Sequence, residues 1–133
     1  MTDSGYSATP QLKKLGLVPG ASWDVDAAPD DWAFEAAPDA GARSVEGAAA
    51  DVVVAFVRSA AELAPAIARL ERRVFPAGAL WIAWPRKAGG HVSDVSENDI
   101  RDTALARGLV DVKVAAIDAD WSGLKLVWRR ENR

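Results

Sequence analysis

The residues with the widest chemical reach fall in two short stretches, Trp84-Pro85-Arg86-Lys87 and Trp121-Ser122. Two indoles beside two cations offer a planar or anionic ligand a stacking surface and a counter-charge, or give a partner peptide an anchor. The competing expectation is that Trp84 and Trp121 close the core while Arg86 and Lys87 are solvated. Asp94, Glu97 and Asn98 open an expected helix nearby and could hold a cation or polar ligand with the loop before it. First-turn acids that complement the helix dipole explain them more simply. His91 is the single histidine. With no second histidine or cysteine beside it, and no nucleophile to serve, it makes a poor metal ligand or general base. Asp24, Asp26, Asp30 and Asp31 could gather around Mg²⁺, and a solvated sheet edge accounts for them as well. "ERR" (Glu71, Arg72, Arg73) and the closing "RRENR" read as surface charge. No catalytic set, metal site or cofactor is expected.

These candidates depend on where the elements end. Thr9 and Pro10 make an N-cap and N1 pair for a short helix over "PQLKKL", closed by Gly16. A strand follows from Ser22 to Ala27. The Ala-rich stretch after it predicts a helix from Asp30 to Ala37 and then a loop. "DVVVAFV" is an unbroken β-branched and aromatic run, the signature of a strand buried on both faces. Ser59 and Glu62 form a capping-box pair ahead of a helix with Leu63, Ile67, Leu70 and Val74 on one stripe. Pro65 moves the expected start toward Ala64. "ALWIAW" is the next strand and "PRKAGGHVSDV" a loop. Ser96 and Asp99 cap a helix that runs to Arg107 and stops at Gly108. "VDVKVAAI", the turn "DADWSG" and "LKLVWRR" complete an antiparallel hairpin. The candidate residues therefore share the edge where the parallel strands end.

Composition narrows the classes. The chain has 133 residues, half of them hydrophobic and 26% charged, which fits one globular domain over residues 9–133 after a flexible tail over 1–8. A net charge of −3 leaves no basic footprint for nucleic acid. Without cysteine there is no disulfide framework or thiolate site, which suits a cytoplasmic protein. "MTDSGYSATP" shows no signal peptide, and no apolar run approaches the ~20 residues of a membrane span.

The order of elements resembles the second half of a class I S-adenosylmethionine-dependent methyltransferase. "DVVVAFV" is similar to the fourth strand of that fold. "RVFPAGALWIAWP" resembles its Leu-x-Pro-Gly-Gly turn into strand five, with Ala77 at the first glycine. The final hairpin resembles its reversed sixth and seventh strands, and "LGLVPGASWDV" the lead into its first. The segments "TPQLKKLGLVPG", "WPRK", "SENDIRDTALARGLVDVKV" and "WSGLKLV" resemble, across the whole chain, a small bacterial family known only as a domain of unknown function. The resemblance to the methyltransferases implies a Gly-x-Gly turn after strand one, yet this chain has Asp26, Ala27, Ala28 and Pro29 there, and no glycine before Gly41. It also implies an acidic residue that ends strand two and binds ribose hydroxyls. Residues 28–50 offer 23 positions, fewer than the roughly 30 of one βαβ unit. Strands two and three are expected to be missing, and one wall of the cofactor crevice with them.

The resulting expectation is an α/β fold. It is a reduced Rossmann-like, methyltransferase-like sheet of about five strands, mostly parallel and ending in an antiparallel hairpin, with helices mainly on one face. Leu80, Ile82 and Trp84 face one way and Trp81 and Ala83 the other. The second face therefore needs cover, from the Leu12–Leu15 helix and the Ala-rich segment, with a modest self-association surface besides. The leading functional expectation is a non-catalytic interaction module that takes a protein partner or a small anionic or planar ligand through Trp84, Pro85, Arg86, Lys87, Asp94, Glu97, Asn98, Trp121 and Ser122. A minimal methyltransferase-like enzyme acting with a partner subunit, and a homodimeric structural protein, are the alternatives.

Overall fold

A computed structural model describes residues 10–38, 43 and 47–133; the expected tail over 1–8 and the Thr9 cap lie outside them. Strand β2 (Val52–Phe56) is buried at every position, as its unbroken apolar run requires of a strand covered on both faces. It lies between β1 (Trp23–Asp26) and β3 (Ala79–Pro85), parallel to both. The hairpin of β4 (Leu109–Ala116) and β5 (Trp121–Trp128) continues the sheet, with β5 antiparallel to β3 and to β4. The order is β1-β2-β3-β5-β4. No described strand lies beyond β1, and only the isolated parallel bridge between Trp23 and Arg43 stands there.

Helices α2 (Ala60–Leu70) and α3 (Glu97–Ala106) cover one face. Leu63, Ile67 and Leu70 of α2 and Ile100 and Ala104 of α3 pack there on Val53, Ala55, Leu80, Ile82, Leu124 and Leu126. The 3₁₀ turn Glu71–Val74 extends α2 and adds Val74 to the same stripe. No described helix is long and apolar enough to cross a membrane.

The opposite face carries Val54, Phe56, Trp81 and Ala83, covered locally by Leu15 and Leu17 and by Trp32 and Phe34. Trp81 is fully buried, and its indole N–H donates to the Leu15 carbonyl at 3.1 Å. Helix α1 (Gln11–Leu15) is tied to the hairpin through Gln11, which donates to the Ile117 carbonyl at 2.8 Å, and Lys14, which donates to Ala116 at 2.9 Å. Burial holds the Lys14 ammonium below its usual pKa, partly offset by Glu35.

Four local expectations are corrected. Residues 30–37 form turns and bends with no helix. Trp32 and Phe34, two residues apart, both pack toward the sheet, and only extended chain puts i and i+2 on one side. The backbone there bonds outward instead: Glu35 N–H donates to Gln11 Oε1 at 2.8 Å. Helix α2 begins at Ala60, with Pro65 inside it and exposed. Its cap comes from far along the chain, since Asp94 Oδ1 accepts the Ala60 N–H at 2.8 Å. The Ser59–Glu62 pair does not form a capping box; Glu62 accepts the Arg58 N–H instead. Strand β5 starts at Trp121, inside the segment expected as turn. Asp118 makes that turn tight by accepting the N–H groups of Asp120 and Trp121 at 2.8 and 2.9 Å, an Asx arrangement. Helix α3, by contrast, has the expected cap: Ser96 Oγ accepts the Asp99 N–H at 3.1 Å.

Candidate functional site

Register decides what converges where β3 ends. Trp84 is paired with Ser122 and Pro85 with Trp121, so side-chain alternation sends the two indoles to opposite faces. Trp84 packs against the α2/α3 face. Trp121 packs on the other, edge-on to Phe56 with ring centroids 4.9 Å apart. The expected pairing of two indoles with two cations is therefore corrected. The cation over Trp121 is Arg58, 5.9 Å from the ring centroid.

Trp84, Pro85, Arg86, Lys87, Glu97 and Ser122 line one open cleft of about 380 Å³, with Ser93 and Val95 on its wall. The loop is braced by the Arg86 N–H, which donates to the Asp120 carbonyl at 2.8 Å, and by His91, whose Nε2 lies 2.9 Å from Asp120 Oδ1. Asp94 and Asn98 are not among the lining residues. Asp94 caps α2, and Asn98 accepts from Arg101 Nη1 at 2.6 Å. Trp121 lies across the sheet. Six of the nine expected residues thus meet and three do not.

At the carboxyl ends of β1 and β2 a side chain bridges the two strands. Ala27, immediately after β1, has φ +59°, and its carbonyl accepts from Arg58 Nη2 at 2.8 Å. That bond ties the end of β1 to the end of β2. Beneath it the rings of Trp32 and Trp121 each meet Phe56 at 4.9 Å. Ala27 and Phe56 also line a hollow of about 310 Å³ along α2, and Ala27 borders two larger hollows, of about 690 and 600 Å³, on the outer side of β1.

A third feature was not legible as a site. Asp24 is buried and accepts from Arg43 Nε and Arg73 Nη1, each at 2.8 Å. Burial opposes its charge; the two guanidiniums and the Val25 N–H more than compensate, and the carboxyl is held below its usual pKa. Asp26 pairs with Arg69 at 2.6 Å. A solvated edge does not describe Asp24, whereas Asp26 is partly exposed and Asp30 and Asp31 are exposed; among the described residues no cluster of three or more metal-ligating side chains occurs. The "ERR" segment is likewise corrected: Glu71 and Arg73 are buried. Glu71 receives a two-pronged bond from Arg107 at 2.7 and 2.9 Å, which raises the Arg107 pKa further. The alternation of acids in "WDVD" and the neighbouring arginines were the only signals in sequence, and neither tells which charges meet.

Three parallel strands followed by a reversed hairpin define a methyltransferase-like Rossmann fold. The magnesium protoporphyrin IX methyltransferase of Synechocystis PCC 6803 is similar, in its structure with bound SAM, at TM-score 0.58 and 11% identity over 90% of this chain and 74% of that one. Its structure with bound SAH gives 0.55 and 14%, covering 89% and 78%. A protein of the NADB-Rossmann superfamily from Streptococcus agalactiae gives 0.52 and 11%, covering 96% and 70%. At such identities the likeness concerns the fold alone. No curated protein matches the sequence. Residues 16–130 match the model of DUF3052, described as a protein of unknown function, and the chain belongs to that family.

Proposed function

We propose that this domain is a non-catalytic interaction module that uses the cleft beside Trp84 to hold an acidic group of a protein partner. The observation that carries the reading is the bond from Arg58 to the Ala27 carbonyl. It bridges the strand ends where an open α/β sheet ordinarily takes its ligand, while Trp84, Arg86 and Lys87 border an open cleft. Arg86 and Lys87 supply counter-charge, Trp84 a flat apolar wall, and Ser122 a hydroxyl. Val92, 98% exposed, stands in the loop whose Ser93 and Val95 line the cleft, where it offers a partner an apolar contact. A cytoplasmic setting is part of the same proposal.

Fluorescence of the cleft indole reports on this. Titration with a glutamate-rich peptide is expected to change the tryptophan emission saturably. The effect should vanish in an Arg86→Glu, Lys87→Glu variant and weaken with salt. An unchanged response in that variant contradicts the proposal. The alternative, a methyltransferase-like subunit completed by a partner, draws on the neighbours solved with SAM and SAH and requires the bond from Arg58 to the Ala27 carbonyl to give way.

A further inference from the structure

On the sheet face away from α2 and α3, cover runs out partway across. Leu15 and Leu17 shield that face over β2 and β3, where they cluster with Val52, Val54 and Trp81. Val110 and Val127, paired across β4 and β5, are partly exposed and belong to neither apolar cluster. Where the cover stops, a hollow of about 440 Å³ opens between residues 16–21 and β5. Val52, Ala79 and Val127 line its sheet side, and Val18, Asp51 and Lys125 border it as well. From this arrangement we infer that the hollow is a contact surface for a second copy of this chain, docked about a two-fold axis.

Charge is the first argument. Lys125 lies directly opposite Lys113 in the ladder of β4 and β5, and like charges so placed repel. Among the described residues neither lysine has a carboxylate partner. Asp51 is exposed at the same hollow and accepts the Ser22 N–H through Oδ2 at 3.0 Å. It stands just before β2, and Lys125 stands in β5, with β3 between those strands. A two-fold axis passing between the two residues sets Lys125 of each copy against Asp51 of the other, so the contact is made twice. A small anion would also meet Asp51 and a small cation Lys125, whereas a surface that carries both signs complements itself.

Val18 supplies the second argument. It is 52% exposed beside the hollow, and two-fold docking seats the Val18 of each copy on the apolar lining of the other. Symmetry thus buries the same apolar area twice. Trp84 packs on the opposite face of the sheet, so both Trp84 clefts stay open in such a dimer. The contact is small, which makes a weak, concentration-dependent dimer the expected form.

Sedimentation equilibrium of the full chain from micromolar to millimolar concentration is the test. The mean mass is expected to rise from that of one chain toward that of two, and the association to weaken with salt. Lys125→Glu turns two attractions into repulsions and is expected to weaken the dimer at least roughly tenfold. The same change sets a carboxylate opposite Lys113, a favourable cross-strand pair, so the fold is kept. Adding Asp51→Lys to that variant restores opposite charges and is expected to recover most of the affinity. Val18→Ser, at an exposed position, is expected to weaken the dimer several-fold and keeps the test decisive if the double variant fails to fold. A chain that stays monomeric at millimolar concentration overturns the inference and leaves the surface to a different partner. So does a dimer unmoved by Lys125→Glu or by Val18→Ser, or a folded double variant that associates no better than Lys125→Glu alone. None of these outcomes bears on the cleft at Trp84.

Discussion

Replacing Asp24 with Asn keeps the shape of the side chain and removes the charge that two guanidiniums share. Arg73 is the partner that matters, since its side chain is 7% exposed and that of Arg43 is 58% exposed. Removing one member of a buried pair costs about 3–5 kcal/mol, because the other charge stays buried without its counter-ion. Asn retains one acceptor and the adjoining cavity admits water, so the expected loss lies near the lower end, about 3 kcal/mol. Arg43→Ala, on the exposed side, should cost under about 1 kcal/mol. Urea unfolding followed by tryptophan fluorescence measures both, with an unchanged slope as the sign that only stability moved. The pH dependence gives an independent check. The folded-state pKa of Asp24 is depressed, so its stabilisation is present above the unfolded value of about 3.9 and is lost as pH falls through the lower folded value. The gap between native protein and Asp24→Asn should therefore hold steady near neutrality and close on acidification below about pH 4. A cost below about 0.5 kcal/mol at pH 7, or a gap that does not close in acid, refutes the picture of a buried arginine that depends on this carboxylate.

Two further substitutions probe the scaffold. Gly123 lies in β5 where an added Cβ would come within 2.8 Å of Ile117 Cδ1 and 3.0 Å of Trp81 Cε3. Gly123→Ala should cost about 1–3 kcal/mol by overpacking, read as a lowered urea midpoint, and a neutral result would mean the Trp81 layer is loosely packed. Ser96→Ala removes the cap on α3 and should cost about 1 kcal/mol in the same assay; no loss would mean that water replaces the hydroxyl.

Much of the scaffold was readable because its signals are local. "VVVAFV" and "ALWIAW" are apolar at every position, which leaves a doubly covered strand as the simplest outcome, and Ser96 and Asp99 stand three apart as a cap requires. Where the sequence reading went wrong, the deciding contact was distant. Asp94 starts α2 from 34 residues away, so Pro65 appeared to set the boundary. Arg73 reaches Asp24 and Arg107 reaches Glu71 across the fold, so a charged run looked like surface. The candidate site was half legible for a related reason. Which strand ends meet follows from topology, but the face of each indole follows from register. Once Trp121 is in β5 rather than in the turn, alternation sends it away from Trp84. The Ala-rich segment misled through composition: helix propensity yielded to the burial of Trp32 and Phe34.

The central proposal is that the crevice at the ends of β1 and β2, bridged by Arg58 and Ala27, does not take the cofactor bound in the solved methyltransferase neighbours. Calorimetric titration with S-adenosylhomocysteine tests it most directly. The account predicts no saturable heat and no change in tryptophan emission at millimolar ligand. Saturable binding in the micromolar range, lost when Ala27 is replaced by a bulky residue, would contradict it and restore the methyltransferase-like reading.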